Sequence, residues 1–424
     1  MTINFDELKI IKYIKKKLLN YSGEKICEII ENLILNNKCD FKNMIKNEIS
    51  MDFIESINQN DPIDIEINEY DFYCKKIDCI LNKNCCTQNS IDWYQKRSEL
   101  ITASNAAIFL GESKYNTIEE GIKEKLEPKI FKKNDNMHHG IKYEKIAKMI
   151  YENIYDTKIL DVGLILHDKY FFIGASPDGI NDKLNNRKRK NKKIGELIEI
   201  KCPKKRKILQ KGKVDGEICP HDYWIQIQLQ LECCDLNKCD FWQCDIKEFT
   251  SFSDLKNNET ITIISENDES NNNEYTNYNV ISDKINYYGC IIQLKPININ
   301  LEKDQKKKWY SEYIYPEKIF KNIDDSRNWG MQIENNFENL YSSYKDKFVF
   351  NKLIYWKLIN AHNTKIYRDV EWFSKNIIKL ENVWNEILEY KNDEDKKKNF
   401  YLILLIIKNH LINLYQQLIW IHIN

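Results

Sequence analysis

At 424 residues the chain is long enough to bury a full core and too long for one core alone, so two or three folding units are expected. Lys plus Arg and Asp plus Glu both number 64, and a net charge of zero makes no global case for a polyanionic partner. The abundance of Asn, Ile and Lys throughout reads as an AT-rich coding sequence, and thirteen cysteines without a repeating framework argue against a disulfide scaffold.

Residues 1–88 read as a helical N-terminal extension. Amphipathic patterns at Phe5–Leu19 and Gly23–Leu35 are separated by acidic, Asn-rich stretches. Cys74, Cys79, Cys85 and Cys86 raise a zinc or iron–sulfur site, but only a C-x4-C spacing supports it and the chain holds no C-x-x-C. No charged, apolar, small-residue leader opens the chain. The longest clean apolar run, Phe400–Ile407, is too short to span a bilayer, so a soluble intracellular protein with no membrane partner is expected.

Residues 89–300 alternate helical and strand patterns, with a polar, acidic insertion at 251–279. In Trp93-Tyr94-Gln95-Lys96-Arg97 followed by Ile101-Thr102-Ala103-Ser104, a guanidinium precedes hydroxyls that suit a helix start. That arrangement binds phosphate. His139–Tyr151 has helical period and sets Glu144 on the stripe of Ala147 and Tyr151. A carboxylate there is either part of a metal or water site or half of a buried ion pair.

Strand-like Phe171–Ala175 runs into the turn Pro177-Asp178-Gly179, and Leu197–Cys202 carries Glu199-Ile200-Lys201. On a strand Glu199 and Lys201 share a face while Ile200 faces the core. A hairpin from Asp178 back to Glu199 would bring two carboxylates together. Such a pair repels unless a proton or hard cation intervenes, with magnesium the economical choice. By itself D-x(n)-E-x-K is also what a surface salt-bridge ladder looks like in a chain this charged.

Between 182 and 213 there are fourteen Lys or Arg against three acids (Asp182, Glu196, Glu199), an excess that attracts phosphate or decorates a solvated hairpin. Tyr223, Gln226 and Gln230 are three and four residues apart, a helical face. Yet Ile225–Leu231 alternates apolar and polar, a strand by period alone. Cys233, Cys234, Cys239 and Cys244 raise a second cluster site, again without C-x2-C. Residues 301–424 read as a helical, aromatic-rich C-terminal region containing Trp309, Trp329, Trp356, Trp372, Trp384 and Trp420, with the apolar Phe400–Ile423 as a packed or oligomer-forming helix.

Taken in order, WYQKR-SELITAS, HGIKYE, GASPDG, ELIEIKCP and YWIQIQ resemble the motifs of the YqaJ-like viral recombinase family, the family of phage lambda exonuclease, within the PD-(D/E)xK superfamily. The resemblance spans Asp92 to about Phe249. It implies an α/β, restriction-endonuclease-like core, a mixed central sheet flanked by helices, here with helical N- and C-terminal extensions. It implies a magnesium-dependent DNA exonuclease, with Mn2+ able to substitute, that degrades one strand of linear duplex 5′ to 3′. The 3′ overhang would go to a single-strand annealing protein in recombination or end processing.

Motif by motif, the resemblance makes Asp178, Glu199 and the carbonyl of Ile200 metal ligands, Lys201 the group serving the attacking water, and Glu144 the completing acid. Tyr223 and Gln226 line the site on a helix. Arg97, Ser104 and Ser176 match the terminal 5′-phosphate pocket. Arg187, Lys188 and Arg189 lie in an insertion relative to the family and are expected to be an added contact to double-stranded DNA ends. The resemblance further implies a homo-oligomer, and a viral protein of the host cytoplasm or viral factory. Alternative functions are a structure- or site-specific endonuclease of the same fold and a catalytically silent DNA-binding module.

Overall fold

The computed structural model describes residues 69–83, 86–88, 90–127, 134–210, 212–258, 262–268, 279–280, 286–297, 311–320, 322–341, 344 and 346–406. The chain divides into two compact units, Met1–Lys75 and Lys76–Asn424. Of the first, the described part is 69–75, the opening of helix α1 (Glu69–Lys83). The expected helices at Phe5–Leu19 and Gly23–Leu35 lie outside the described residues, as does Cys85.

In the second unit the chain runs through α2 (Ile91–Ser98), β1 (Ile101–Thr102), a 3-10 turn at Ala103–Asn105, α3 (Ala106–Phe109), α4 (Ile118–Leu126) and α5 (Asp135–Ile154). Strands β2 (Ile159–Leu160), β3 (Ile165–Leu166), β4 (Ile173–Ala175), β5 (Gly179–Asn181) and β6 (Leu197–Lys201) follow. Helix α6 (His221–Cys234) leads to β7 (Lys238–Phe249), α7 (Phe252–Lys256), β8 (Ile263–Asp268), β9 (Asn279–Val280), β10 (Tyr288–Pro296) and β11 (Glu312–Ile314). The last elements are α8 (Ile323–Leu340), β12 (Phe348–Tyr367), α9 (Val370–Asn392) and a helical stretch at 394–406.

Capping chemistry sets several helix starts. Ser90 Oγ accepts from Trp93 N at 3.1 Å to begin α2. Thr117 and Glu120 exchange side-chain and backbone bonds at the start of α4 (3.3 and 3.0 Å), the reciprocal pair that satisfies two orphan amides.

The main mixed sheet has the order β11-β10-β12-β7-β6-β5-β2, with β8 on β12 and β9 on β8. Its centre is a β-β-β-α-β unit: β2, β5 and β6 are antiparallel neighbours, and α6 crosses over to put β7 parallel to β6. A three-stranded sheet, β1-β4-β3, stands apart. The apolar stripe of α5 (Tyr143, Ile146, Ala147, Ile150, Tyr151) packs on Ile198, Ile200, Trp242, Cys244 and Trp356. Trp242 Nε1 donates to the Ala147 carbonyl at 3.0 Å, so that ring is satisfied as well as buried.

The structure corrects one expectation. Residues 301–424 are not uniformly helical: Phe348–Tyr367 is a 20-residue strand, pairing β10 along its first half and β7 along its second. Its Ile354, Trp356 and Leu358 alternate, but Ala361–Thr364 are buried consecutively, as in a strand covered on both faces; the aromatic spacing masked that pattern. Within the polar insertion 251–279, Ile263–Asp268 forms a strand parallel to β12. Trp309 and Trp420 lie outside the described residues, as does most of Phe400–Ile423.

Ile225–Leu231 is helix despite its alternation. The physical reason is that α6 is buried nearly all round and each interior glutamine has a partner. Gln228, for example, donates to Tyr367 O at 2.9 Å and accepts from Asp369 N at 2.7 Å.

Candidate active site

The β5–β6 hairpin pairs Gly179 with Ile198, which sets Asp178 beside the end of β6. Asp178 Oδ2 accepts from Ile200 N at 2.7 Å. Glu199, 1 % exposed, accepts from Gln226 Nε2 on one oxygen and Gln230 Nε2 on the other, both at 2.7 Å. Lys201 donates to the same oxygen as Gln226, with its ammonium 4.7 Å from the centre of the Tyr223 ring. Strand periodicity and helix periodicity thus meet on one carboxylate.

The electrostatics show how tightly these groups are coupled. Burial, with Glu199 and Glu144 adding repulsion, pushes Asp178 well above the carboxylate range, and Lys201 opposes that rise. Half-buried Glu144 is raised by burial and by Glu199, again against Lys201. Burial would lower Lys201, but Glu199 and Asp178 outweigh it and raise the lysine above its ordinary value. Asp178, Glu199, Glu144 and Lys201 therefore form one electrostatic unit.

Among the described residues, no three His, Cys, Asp or Glu side chains already form a group that could hold a metal ion; at Glu199 the ammonium of Lys201 supplies the compensating charge. The donor chemistry nevertheless fits a small hard cation: three carboxylates raise or face one another's charge, and oxygen ligands of this kind suit magnesium. Asp178, Glu199 and Glu144, with the Ile200 carbonyl, are the residues that would hold it.

A second cluster is built from α2, the 3-10 turn and the end of β4. Arg97 Nη2 donates to Ser104 Oγ at 2.8 Å, and its guanidinium lies 4.2 Å from the centre of the Trp93 ring. Trp93 Nε1 donates to Ser176 Oγ at 2.9 Å. Asn105 Oδ1 accepts from Thr102 N at 2.8 Å, which shapes the turn, and Ser104 Oγ meets both the guanidinium and Thr102 Oγ1, the latter at 3.2 Å. Burial lowers Arg97 to about 10, opposed by Tyr94 and Glu199, so Arg97 stays charged at neutral pH and feels the carboxylate site. The structure brings Arg97, Ser104 and Ser176 together through Trp93.

Arg187, Lys188 and Arg189 are not brought to the carboxylates. They lie in the segment joining Asn181 to Leu197, the end of the β5–β6 pair opposite Asp178 and Lys201. Exposed Arg187 faces Asp156 at 3.4 Å. Lys193, at the foot of the same segment, is structural: it bonds buried Asp240 at 2.6 Å, where Lys365 and Tyr151 also meet. The basic run therefore splits in two. Its second half, after Lys201, crosses the sheet on the active-site side, with Arg206 Nη2 on Gln243 Oε1 at 2.7 Å and Gln210 Nε2 on Asn360 Oδ1 at 2.8 Å.

Gln230 and Trp93 had no assigned role from sequence, although the four-residue step from Gln226 to Gln230 was the signal for the first. Cys233, Cys234, Cys239 and Cys244 are buried free thiols, and the odd spacing of Cys239 and Cys244 points them to opposite faces of β7.

The β-β-β-α-β core with an Asp and a Glu-x-Lys at one end of the sheet defines an α/β protein of the restriction-endonuclease-like class. Residues 92–237 match the model of the YqaJ-like viral recombinase domain. An uncharacterised protein, R354, of Acanthamoeba polyphaga mimivirus is 32 % identical over 311 residues, which cover 73 % of this chain and 54 % of the relative; the chain spans about half the length of the relative it matches. Among solved structures, an alkaline exonuclease from Laribacter hongkongensis is 24 % identical over 37 % of this chain and 74 % of its own, with a TM-score of 0.28. A phage-related exonuclease from Haemophilus somnus 129PT is 15 % identical over 34 % of this chain and 67 % of its own, with a TM-score of 0.25. Among the described residues no helix is long and apolar enough to cross a membrane.

Proposed function

We propose that the chain is a magnesium-dependent DNA exonuclease that degrades one strand of linear duplex 5′ to 3′ and leaves a 3′ overhang for recombination or end processing. The observation that carries this reading is the coupling of Asp178, Glu199, Glu144 and Lys201 at one sheet end, beside an arginine–serine cluster whose guanidinium feels Glu199. A bound divalent ion would supply charge stabilisation on the scissile phosphate and a more acidic water.

The protein's own groups have separate tasks. Asp178 is held by the Ile200 amide and Glu199 by two glutamines, which fixes the carboxylates before substrate arrives. Lys201, kept protonated by its acidic neighbours, orients the attacking water or offsets charge that builds on the phosphate. Arg97, Ser104 and Ser176 receive the terminal 5′-phosphate and set the register of the end. Duplex DNA ends are the partner, and a single-strand annealing protein would take the product.

The test is linear duplex with and without a 5′-phosphate, in magnesium or EDTA. Faster degradation of the phosphorylated end, abolished by EDTA and by Asp178→Ala, is expected. Indifference to both phosphate and chelator would overturn the reading, and cleavage of closed circular duplex would mark an endonuclease instead.

A further inference from the structure

Lys125 is 7 % exposed on α4, and its Nζ donates to the backbone carbonyl of Arg97 at 2.8 Å. Half-buried Lys193 and Lys365 sit on Asp240 and Glu196 and buried Lys142 on Glu248, whereas buried Lys357 meets a backbone carbonyl, that of Asn258, at 3.2 Å. Lys125 likewise has only a neutral carbonyl and no carboxylate partner among the described residues, and the charges it feels most are the cations Arg97 and Lys391, with Glu124 offering partial compensation. A buried ammonium without a carboxylate, beside a guanidinium, is costly unless an anion completes the group.

The Arg97 side chain projects from the same residue whose carbonyl Lys125 holds. That carbonyl lies in the last turn of α2, where carbonyls lack a partner within the helix and are favourably met by a cation. Fixing that turn fixes where the guanidinium stands over Trp93 and against Ser104. Burial, then Arg97 and Lys391, pull Lys125 down to about 7; a phosphate against Arg97 would oppose that pull.

We infer that Lys125 is a positioning residue of the terminal-phosphate pocket: it holds the Arg97 backbone and supplies a second positive charge behind it, making the pocket selective for an end that carries a phosphate. This rests on the phosphate-pocket reading above. The group recognised is a phosphomonoester at a 5′ DNA terminus.

The experiment uses the full chain with magnesium and compares KM and kcat on 5′-phosphorylated and 5′-hydroxyl linear duplex for wild type, Lys125→Met and Lys125→Arg. Losing a charged hydrogen bond corresponds to roughly ten-fold or more. Lys125→Met should raise KM for the phosphorylated end by about that factor, leave kcat and the hydroxyl-end KM near wild type, and leave the melting temperature unchanged or higher, since a buried charge is removed. Lys125→Arg should recover most of the phosphate preference. If wild type prefers phosphorylated ends and Lys125→Met keeps the full preference, the inference fails. If Lys125→Met lowers the rate equally on both ends with a lower melting temperature, Lys125 is a packing residue only. Wild-type indifference to the phosphate would overturn the pocket itself.

Discussion

Replacing Gln230 with leucine isolates one hydrogen bond of the site. Gln230 is fully buried; its Nε2 donates to Glu199 Oε2 at 2.7 Å and its Oε1 has no partner among the described residues. The donated bond goes to a carboxylate, a class worth about 1.5–3 kcal/mol, whereas an unpartnered buried amide oxygen costs about 1–3 kcal/mol. Leucine removes both, so global stability should barely change. The loss falls on Glu199, which keeps Gln226 and Lys201 on its other oxygen and becomes free to rotate. In single-turnover cleavage of phosphorylated linear duplex, Gln230→Leu should need more magnesium for half-maximal rate and run about 10- to 100-fold slower at limiting metal, with partial recovery at high metal. A double-mutant cycle with Gln226→Leu should be non-additive, because both amides act on one carboxylate. A Gln230→Leu enzyme within two-fold of wild type at every magnesium concentration, with an unchanged melting temperature, would refute the idea that helix α6 fixes Glu199.

Two further expectations concern charge. Burial alone would raise Asp240, but Lys193 and Lys365 depress it to about 2. A depressed carboxylate stabilises above its unfolded value and loses that contribution as pH falls from about 4 towards 2. About 2 kcal/mol should disappear over that window, so denaturant midpoints of wild type and Asp240→Asn should converge on acidification; a constant gap would contradict it. Reversing Arg187, Lys188 and Arg189 to glutamate while leaving Lys193 intact should raise KM for duplex, with kcat unchanged. Its log–log salt slope should flatten by about 0.9 for each phosphate that the segment no longer neutralises. A fall in turnover at saturating DNA would show that the segment reaches the chemistry.

The grouping of Asp178, Glu199 and Lys201 was legible because its geometry is local. Asp178 sits in a turn, Glu199 and Lys201 are two apart on a strand, and both features survive as short-range geometry. Helix α6 was not legible from period: alternating glutamines mimic a strand, and only their tertiary acceptors, Glu199 on one face and Tyr367 on another, reveal a helix buried all round. The basic run was legible as charge but not as direction. A hairpin sends everything between its strands away from its open end, so Arg187–Arg189 and Lys204–Lys207, close in composition, lie on opposite sides of the Asp178–Glu199 pair.

The same logic recasts the C-terminal region. Lys201 is in register with Gln243, and Gln243 with His362 of β12; His362 Nδ1 in turn meets Ser265 Oγ at 2.7 Å. Side chains in register on adjacent strands share a face, so this polar row starts at Lys201 and ends on two strands that follow residue 262. Gln243 also holds Arg206, and Asn360 of β12 holds Gln210, which ties the loop leaving Lys201 to the added strands. Without β12, the 12-residue strand β7 would become an open edge carrying Phe241 and Trp242, both fully buried, an arrangement that natural sheets avoid. What sequence presented as an extension is therefore the continuation of the sheet that carries Glu199 and Lys201, and the position of the loop after Lys201 depends on it.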